Sequence, residues 1–148
     1  MLKRINKDCV NRIIDANINR TKEGLRVCEE ITRFILNNRS LTKGLKDIRH
    51  KLDSAAKNLA SRDVLLKERF SLSDIGRNIC GLELKRDNLE DIFFANIQRA
   101  KESTRVLEEF AKLFNKTSAL KFKEARYKLY DIEKKASGKV PSIFIKHT

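Results

Sequence analysis

The feature that most constrains this chain is an internal repeat. Ala16 to Ile35 reads ANINRTKEGLRVCEEITRFI and Ala95 to Phe114 reads ANIQRAKESTRVLEEFAKLF, ten of twenty positions being identical at an offset of 79 (Asn96 minus Asn17). A weaker echo, Arg49-His50-Lys51-Leu52 against Arg126-Tyr127-Lys128-Leu129, follows in each copy at an offset of 77. Self-similarity of this kind marks a duplicated supersecondary unit, here a long helix, a short turn and a second helix.

Local signals set the expected boundaries. Asp8 is expected to cap a first helix running to about Leu36, with Ile14, Ile18, Leu25, Cys28, Ile31 and Ile35 at three- and four-residue spacing. Asn37-Asn38-Arg39-Ser40 breaks it, and Ser40 is the expected cap of a second helix through about Ala60, with Leu41, Leu45, Ile48 and Leu52 on one stripe. Ser61 to Asp87 holds Gly76 and Gly81, has no sustained period, and reads as a linking loop with one short helical piece near Val64 to Phe70. Asn88 opens a third helix to about Phe114, and Ser118 a fourth to about Ala136, where Ser137-Gly138 and Pro141 stop it.

The expected fold is therefore all-α: a single helical domain of four long helices in two pseudo-symmetric helix hairpins, like a four-helix bundle. Repeat one spans about 8–60, the linker 61–87, repeat two about 88–136 and the tail 137–148. A length of 148 residues suits one domain, and 41% hydrophobic and 36% charged residues with one Pro and no Trp argue against disorder and against a loop-rich β sandwich. The apolar tail Val140 to Ile145 is expected to pack on the bundle or on a neighbour, which leaves a homodimer open.

Met1 to Asp8 carries charges without an apolar run, and no eighteen consecutive residues are apolar, so export and membrane insertion find no support and a cytoplasmic location is expected. Cys9, Cys28 and Cys80 are odd in number and widely spaced, which supports neither a disulfide framework nor a zinc site, and Cys28 reads as a small core residue. His50 is expected to pack or hydrogen-bond, and His147 to lie in a frayed terminus. A net charge of +13 favours phosphate-bearing partners. Interleaving of lysines with acids fits a plain solvated surface equally well.

On a helical wheel Ile14, Ile18, Leu25, Val27, Cys28, Ile31 and Phe34 share one broad arc, with Asn17 near its centre, Arg20 inside it and Glu23 at its edge. Arg26 and Glu29 project to the opposite side. In the third helix Asn96 and Arg99 interrupt Ile92, Ile97, Val106, Leu107 and Phe110 in the same way. A buried Asn or Arg is costly unless its hydrogen bonds are met, so two readings stand: an Arg20–Glu23 pair knitting helices together, or a pocket where Asn and Arg meet an anion. Glu30 and Glu109, four residues after Arg26 and Arg105, read as surface partners. In the linker, Arg62-Asp63 and Asp74-Ile75-Gly76-Arg77 read either as helix caps or as acids able to hold a metal or accept a proton.

The chain has no GxxxxGK[ST], GxGxxG or HExxH, no nucleophile-plus-base pattern, and no RNP-like, zinc-finger or clear helix-turn-helix pattern. Nucleic acid is thus an unfavoured partner.

Several motifs occur in a distinctive order. Arg12-Ile13-Ile14-Asp15-Ala16-Asn17 with Arg20, Glu23-Gly24-Leu25-Arg26-Val27 and Glu29, then Ser61-Arg62-Asp63, Asp74-Ile75-Gly76, Arg105-Val106-Leu107-Glu108-Glu109, Arg126-Tyr127 and Leu129-Tyr130-Asp131-Ile132-Glu133 run through most of the chain. Together they resemble the helical domain that is fused to the N-terminus of some bacterial thiamine-phosphate synthases and also occurs alone. The resemblance implies a hydroxymethylpyrimidine-phosphate kinase in thiamine biosynthesis, using ATP and Mg²⁺ on a pyrimidine phosphate, with a separate thiamine-phosphate synthase as a candidate partner. It further implies phosphate ligands among Arg20, Arg26, Arg99 and Arg105, orienting roles for Asn17 and Asn96, and metal or catalytic roles for Asp63 and Asp74. Glu23, Arg62 and Glu102 complete the expected substrate site. The alternatives are a non-catalytic helical partner domain of a thiamine-phosphate synthase and a basic nucleic-acid-binding bundle. Gly24 becomes Ser103 in the second copy, so the two sites are expected to be unequal.

Overall fold

The computed structural model describes residues 4–78, 81–143 and 145, with only the backbone for 82 and 83, so Cys80 and His147 lie outside the described residues. Helix α1 covers Lys7–Glu30 and continues as a π-helical turn, Ile31–Ile35. Helix α2 covers Arg39–Lys57, α3 Arg62–Lys67, a 3₁₀ turn Ser71–Ser73, α4 Gly81–Leu84, α5 Leu89–Ala111 and α6 Lys116–Ala136. No strand occurs among the described residues.

All four long helices start on asparagine. The Asn6, Asn38, Asn88 and Asn115 side chains accept the N–H groups of Asp8, Leu41, Asp91, and Thr117 with Ser118, respectively. Asn88 was anticipated, whereas Asp8, Ser40 and Ser118 give way to Asn6, Asn38 and Asn115. An asparagine outside the first turn satisfies orphan amides that a residue already inside the helix cannot reach. The linker helix likewise begins earlier than expected, because the Ser61 hydroxyl accepts the Val64 N–H.

The ends are also set by carbonyls. Leu59 and Ala60 N–H both turn to the Ala56 carbonyl, ending α2 at Lys57 rather than Ala60. Phe114 and Asn115 do the same at Ala111, ending α5 there rather than at Phe114. The π turn closes through Leu36 N–H to Ile31 C=O at 3.0 Å, and Asn37 then takes φ 49°, a left-handed conformation that Asn tolerates.

Helix α1 packs on α2 and α5, and α6 packs on α5 and α2, closing a four-helix bundle. Its core is continuous from Val10, Ile14, Leu25 and Cys28 through Leu45, Ile48 and Phe93 to Leu107, Phe122 and Leu129, each large side chain contributing about 1.5–3 kcal/mol on burial. Burial pushes the Cys28 thiol up to about 12, so it remains a protonated core residue. Phe34, expected on the core arc, is 62% exposed, because it lies in the π turn, where the 3.6-residue period no longer holds. The tail returns to the bundle: Val140 is buried, Leu89 N–H donates to Ile143 C=O at 3.1 Å, and Ser142 Oγ donates to Glu90.

The two copies meet where α1 crosses α5. A Cβ at Gly24 would stand 2.7 Å from the Asn96 carbonyl oxygen and 3.6 Å from the Ala100 Cβ. The repeat offset carries Gly24 to Ser103 and Ala100 to Thr21, and those two hydroxyls meet at 2.6 Å. The glycine-to-serine difference between the copies is thus a packing difference at this crossing: a close approach on one side is matched by a hydrogen bond on the other.

Candidate functional site

Asn17 and Asn96 adopt the same local arrangement. Each side-chain amide donates back to the carbonyl four residues earlier, Asn17 to Ile13 and Asn96 to Ile92, both at 2.8 Å. Asn17 is 3% exposed, so its polarity is met inside its own helix.

Arg20 and Arg99, expected on the core face, are exposed. The backbone positions lie on that arc, but a long side chain carries its guanidinium out to water while its stem covers the helix. Arg20 reaches Asn17 Oδ1 only at 3.4 Å. Glu23 is exposed, as is Glu102, which accepts a hydrogen bond from Gln98 at 2.8 Å. Arg26 and Arg105 project outward as expected, each 54% exposed along the side chain.

Glu29 reverses its expected orientation and is 5% exposed. It receives Arg49 through Nε at 3.1 Å and Nη2 at 3.4 Å. Its repeat counterpart Glu108 receives Arg126 Nε at 2.9 Å. The Glu108 hydrogen bond holds Arg126 more firmly charged than usual. These two glutamate–arginine pairs join the helices of each hairpin. Their signal in the sequence was the joint repetition of Glu29/Glu108 and Arg49/Arg126. A wheel with one core arc misses it, because α1 is covered by α2 on one side and α5 on another. Glu109 behaves as a surface partner: hydrogen bonding from Lys112 at 2.9 Å lowers its carboxyl pKa, and Arg105 lies at 3.0 Å.

The linker is fastened by a pair that sequence reasoning did not single out. Arg69 grips the largely buried Asp15 bidentately, Nε to Oδ2 at 2.8 Å and Nη2 to Oδ1 at 2.7 Å. This hydrogen bonding raises the Arg69 pKa further, with Glu23 adding its field. Arg62 and Asp63 lie in the exposed first turn of α3. Asp74 Oδ1 accepts the Gly76 N–H at 2.9 Å, forming a local turn. Among the described residues no three His, Cys, Asp or Glu side chains gather at one point.

Grooves indent the surface between the helices. One of about 340 Å³ lies between α5 and α6 and brings together Glu102 and Arg105 with Lys101, Arg126 and Tyr130. Another of about 470 Å³ lies between α2 and α6, lined by Lys51, Lys128 and an exposed His50 that does not pack inward as expected. None of the described helices is long and apolar enough to cross a membrane.

A duplicated helix hairpin with a polar seam repeated on α1 and α5 defines the class of module. The chain belongs to the ThiD2 family, whose match covers residues 12–135. It is 36% identical over 125 residues to the thiamine-phosphate synthase of Synechocystis sp., covering 84% of this chain and 35% of that protein. Against the thiamine-phosphate synthase of Rhodopirellula baltica it is 37% identical over 134 residues, covering 87% of this chain and 36% of the relative. The Nostoc punctiforme thiamine-phosphate synthase is 36% identical over 132 residues, with the same two coverages. The chain spans about a third of the length of these relatives. No solved structure matches it.

The family link is to thiamine biosynthesis. The expectation of a hydroxymethylpyrimidine-phosphate kinase is corrected by these relatives, which match most of the chain and are named thiamine-phosphate synthase, not kinase.

Proposed function

We propose that this chain is the helical partner module of a thiamine-phosphate synthase, serving thiamine biosynthesis by association rather than by turnover of its own. One observation carries the reading: the matched relatives hold this module as about a third of a longer chain bearing the synthase name. A module covalently joined to its partner meets it at high effective concentration, so even a weak complementary surface suffices for contact. The exposed apolar pairs Phe34–Ile35 and Leu113–Phe114, placed equivalently by the repeat, are available for such contact.

The test mixes the purified chain with a thiamine-phosphate synthase that lacks this module. Sedimentation velocity should show a complex, the chain alone should form no thiamine phosphate, and the synthase rate or its KM should shift when the complex forms. Absence of both a complex and a kinetic effect at micromolar concentrations would overturn the proposal.

A further inference from the structure

Charge is divided unequally between the two helices of each hairpin. Helices α2 and α6 together hold thirteen Lys or Arg against five Asp or Glu, whereas α1 and α5 hold eight against ten. Two of the five acids are engaged by the inner helices: Asp53, whose repeat counterpart is Tyr130, takes Lys22 of α1 at 2.8 Å, and Glu133 takes Lys101 of α5 at 2.8 Å. Arg49 and Arg126 likewise turn inward, to Glu29 and Glu108. What remains outward is mostly lysine. Lys43, Lys46 and Lys51 on α2 and Lys121, Lys123 and Lys135 on α6 are exposed, and among the described residues none of these six pairs with a carboxylate.

The geometry gives this face a definite extent. Helices α2 and α6 run antiparallel: Ser118 Oγ near the start of α6 donates to Ala55 C=O near the end of α2 at 3.4 Å, and a Cβ at Gly44, near the start of α2, would stand 3.1 Å from Ile132 Cδ1, near the end of α6. Phe34–Ile35 lies just before α2 and Leu113–Phe114 just before α6. The two exposed apolar pairs therefore fall at opposite ends of the basic face, roughly 30 Å apart at 1.5 Å per helical residue. Apolar anchors with a polar field between them are the make-up of a protein interface. The acids in the groove between the helices argue against a continuous polyanion. Asp47 and Asp131 stand there beside Lys51, Lys128 and Lys135, and would meet a run of phosphates at like charge. A folded acidic surface carries cations of its own to meet them.

We propose that the α2/α6 face is where this module docks on an acidic surface of the thiamine-phosphate synthase, an inference that rests on the partner function given above. The unpaired lysines steer the encounter and make it salt-dependent, since exposed charges act over about 10 Å at 0.1 M salt. Asp47 and Asp131 set the register, and the apolar pairs close the two ends. The near-neutral α1/α5 surface takes no part in this contact.

The test measures association and dissociation rates of the full chain with a thiamine-phosphate synthase that lacks this module, by biolayer interferometry at 50 and 300 mM NaCl. Association should slow about tenfold or more at the higher salt, and by a similar factor in the double variant Lys51→Glu with Lys135→Glu, while dissociation changes far less. Arg77→Glu with Lys85→Glu makes the same change of charge on the exposed linker and should leave association within about twofold. Circular dichroism reports whether each variant is folded; if the Lys51/Lys135 variant is not, the salt dependence of the parent chain decides. A complex indifferent to salt and to Lys51→Glu with Lys135→Glu would overturn this inference and leave the partner function standing, whereas no complex at either salt would overturn both. Equal slowing by the linker variant would show that net charge, not this face, governs the encounter. Displacement of the synthase by a 20-base-pair DNA duplex that binds the α2/α6 face more tightly would assign the face to nucleic acid instead.

Discussion

Thr21 on α1 and Ser103 on α5 share a buried hydroxyl contact of 2.6 Å, and the repeat operation turns this pair into Ala100 and Gly24, where the helices touch backbone to side chain. The pseudo-twofold relation thus passes through the α1/α5 seam, and its two halves use different chemistry to hold one spacing.

Gly24→Ala places a methyl 2.7 Å from the Asn96 carbonyl oxygen, which is backbone and cannot rotate away. The helices must separate, and the expected loss is about 1–3 kcal/mol. Urea unfolding followed by circular dichroism measures it. Unchanged stability would show that the seam is looser than its distances indicate.

Arg49→Met and Arg126→Met leave Glu29 and Glu108, both about 5% exposed, with only the longer contacts of Arg26 at 3.8 Å and Arg105 at 3.5 Å. Each should cost about 3 kcal/mol, because a buried carboxylate loses the shorter, better aligned of the two interactions that offset its desolvation. Replacing both partners, as in Glu108→Leu with Arg126→Met, should recover most of that loss. Chemical denaturation of the three variants distinguishes a structural pair from a neutral one.

Asp15→Asn removes the bidentate hold on Arg69. Amide exchange in 62–73 should rise about tenfold or more, the equivalent of one charged hydrogen bond, while α5 and α6 keep their protection. Uniform loss of protection would mean that the linker is part of the core cooperative unit.

Cys28 titrates near 12 in the fold against 9.0 for an ordinary thiol, because burial penalises the thiolate. A folded pKa raised above the unfolded one gives a contribution that is complete below about pH 9 and declines as pH climbs toward 12. Iodoacetamide at pH 8.5 should therefore label exposed Cys9 quickly and Cys28 only at the rate of unfolding. Peptide-resolved mass spectrometry reads both rates, and fast labelling of Cys28 would contradict its burial.

The duplicated motif, the four amphipathic helices and the bundle they form were legible in the amino-acid order, because helical periodicity and internal similarity are local properties. The stripe Leu41, Leu45, Ile48 and Leu52 is buried as its spacing required, and Gly138 at φ 81° stops α6 where Ser137-Gly138 predicted. Cap positions moved by a few residues, since several Asn and Ser compete within each boundary and geometry selects the one outside the first turn. Tertiary structure alone decided the destinations of the charges. Arg20 and Arg99 left the core face because flexible stems reach water, and Glu29 and Glu108 were drawn in because a second helix supplied an arginine at hydrogen-bond distance. The same holds for the asymmetry at Asp53 and Tyr130, visible as letters but given meaning only when α2 and α6 set those residues beside Lys22 and Lys101. A wheel states angles within one helix; which neighbour fills each angle is a property of the assembled bundle.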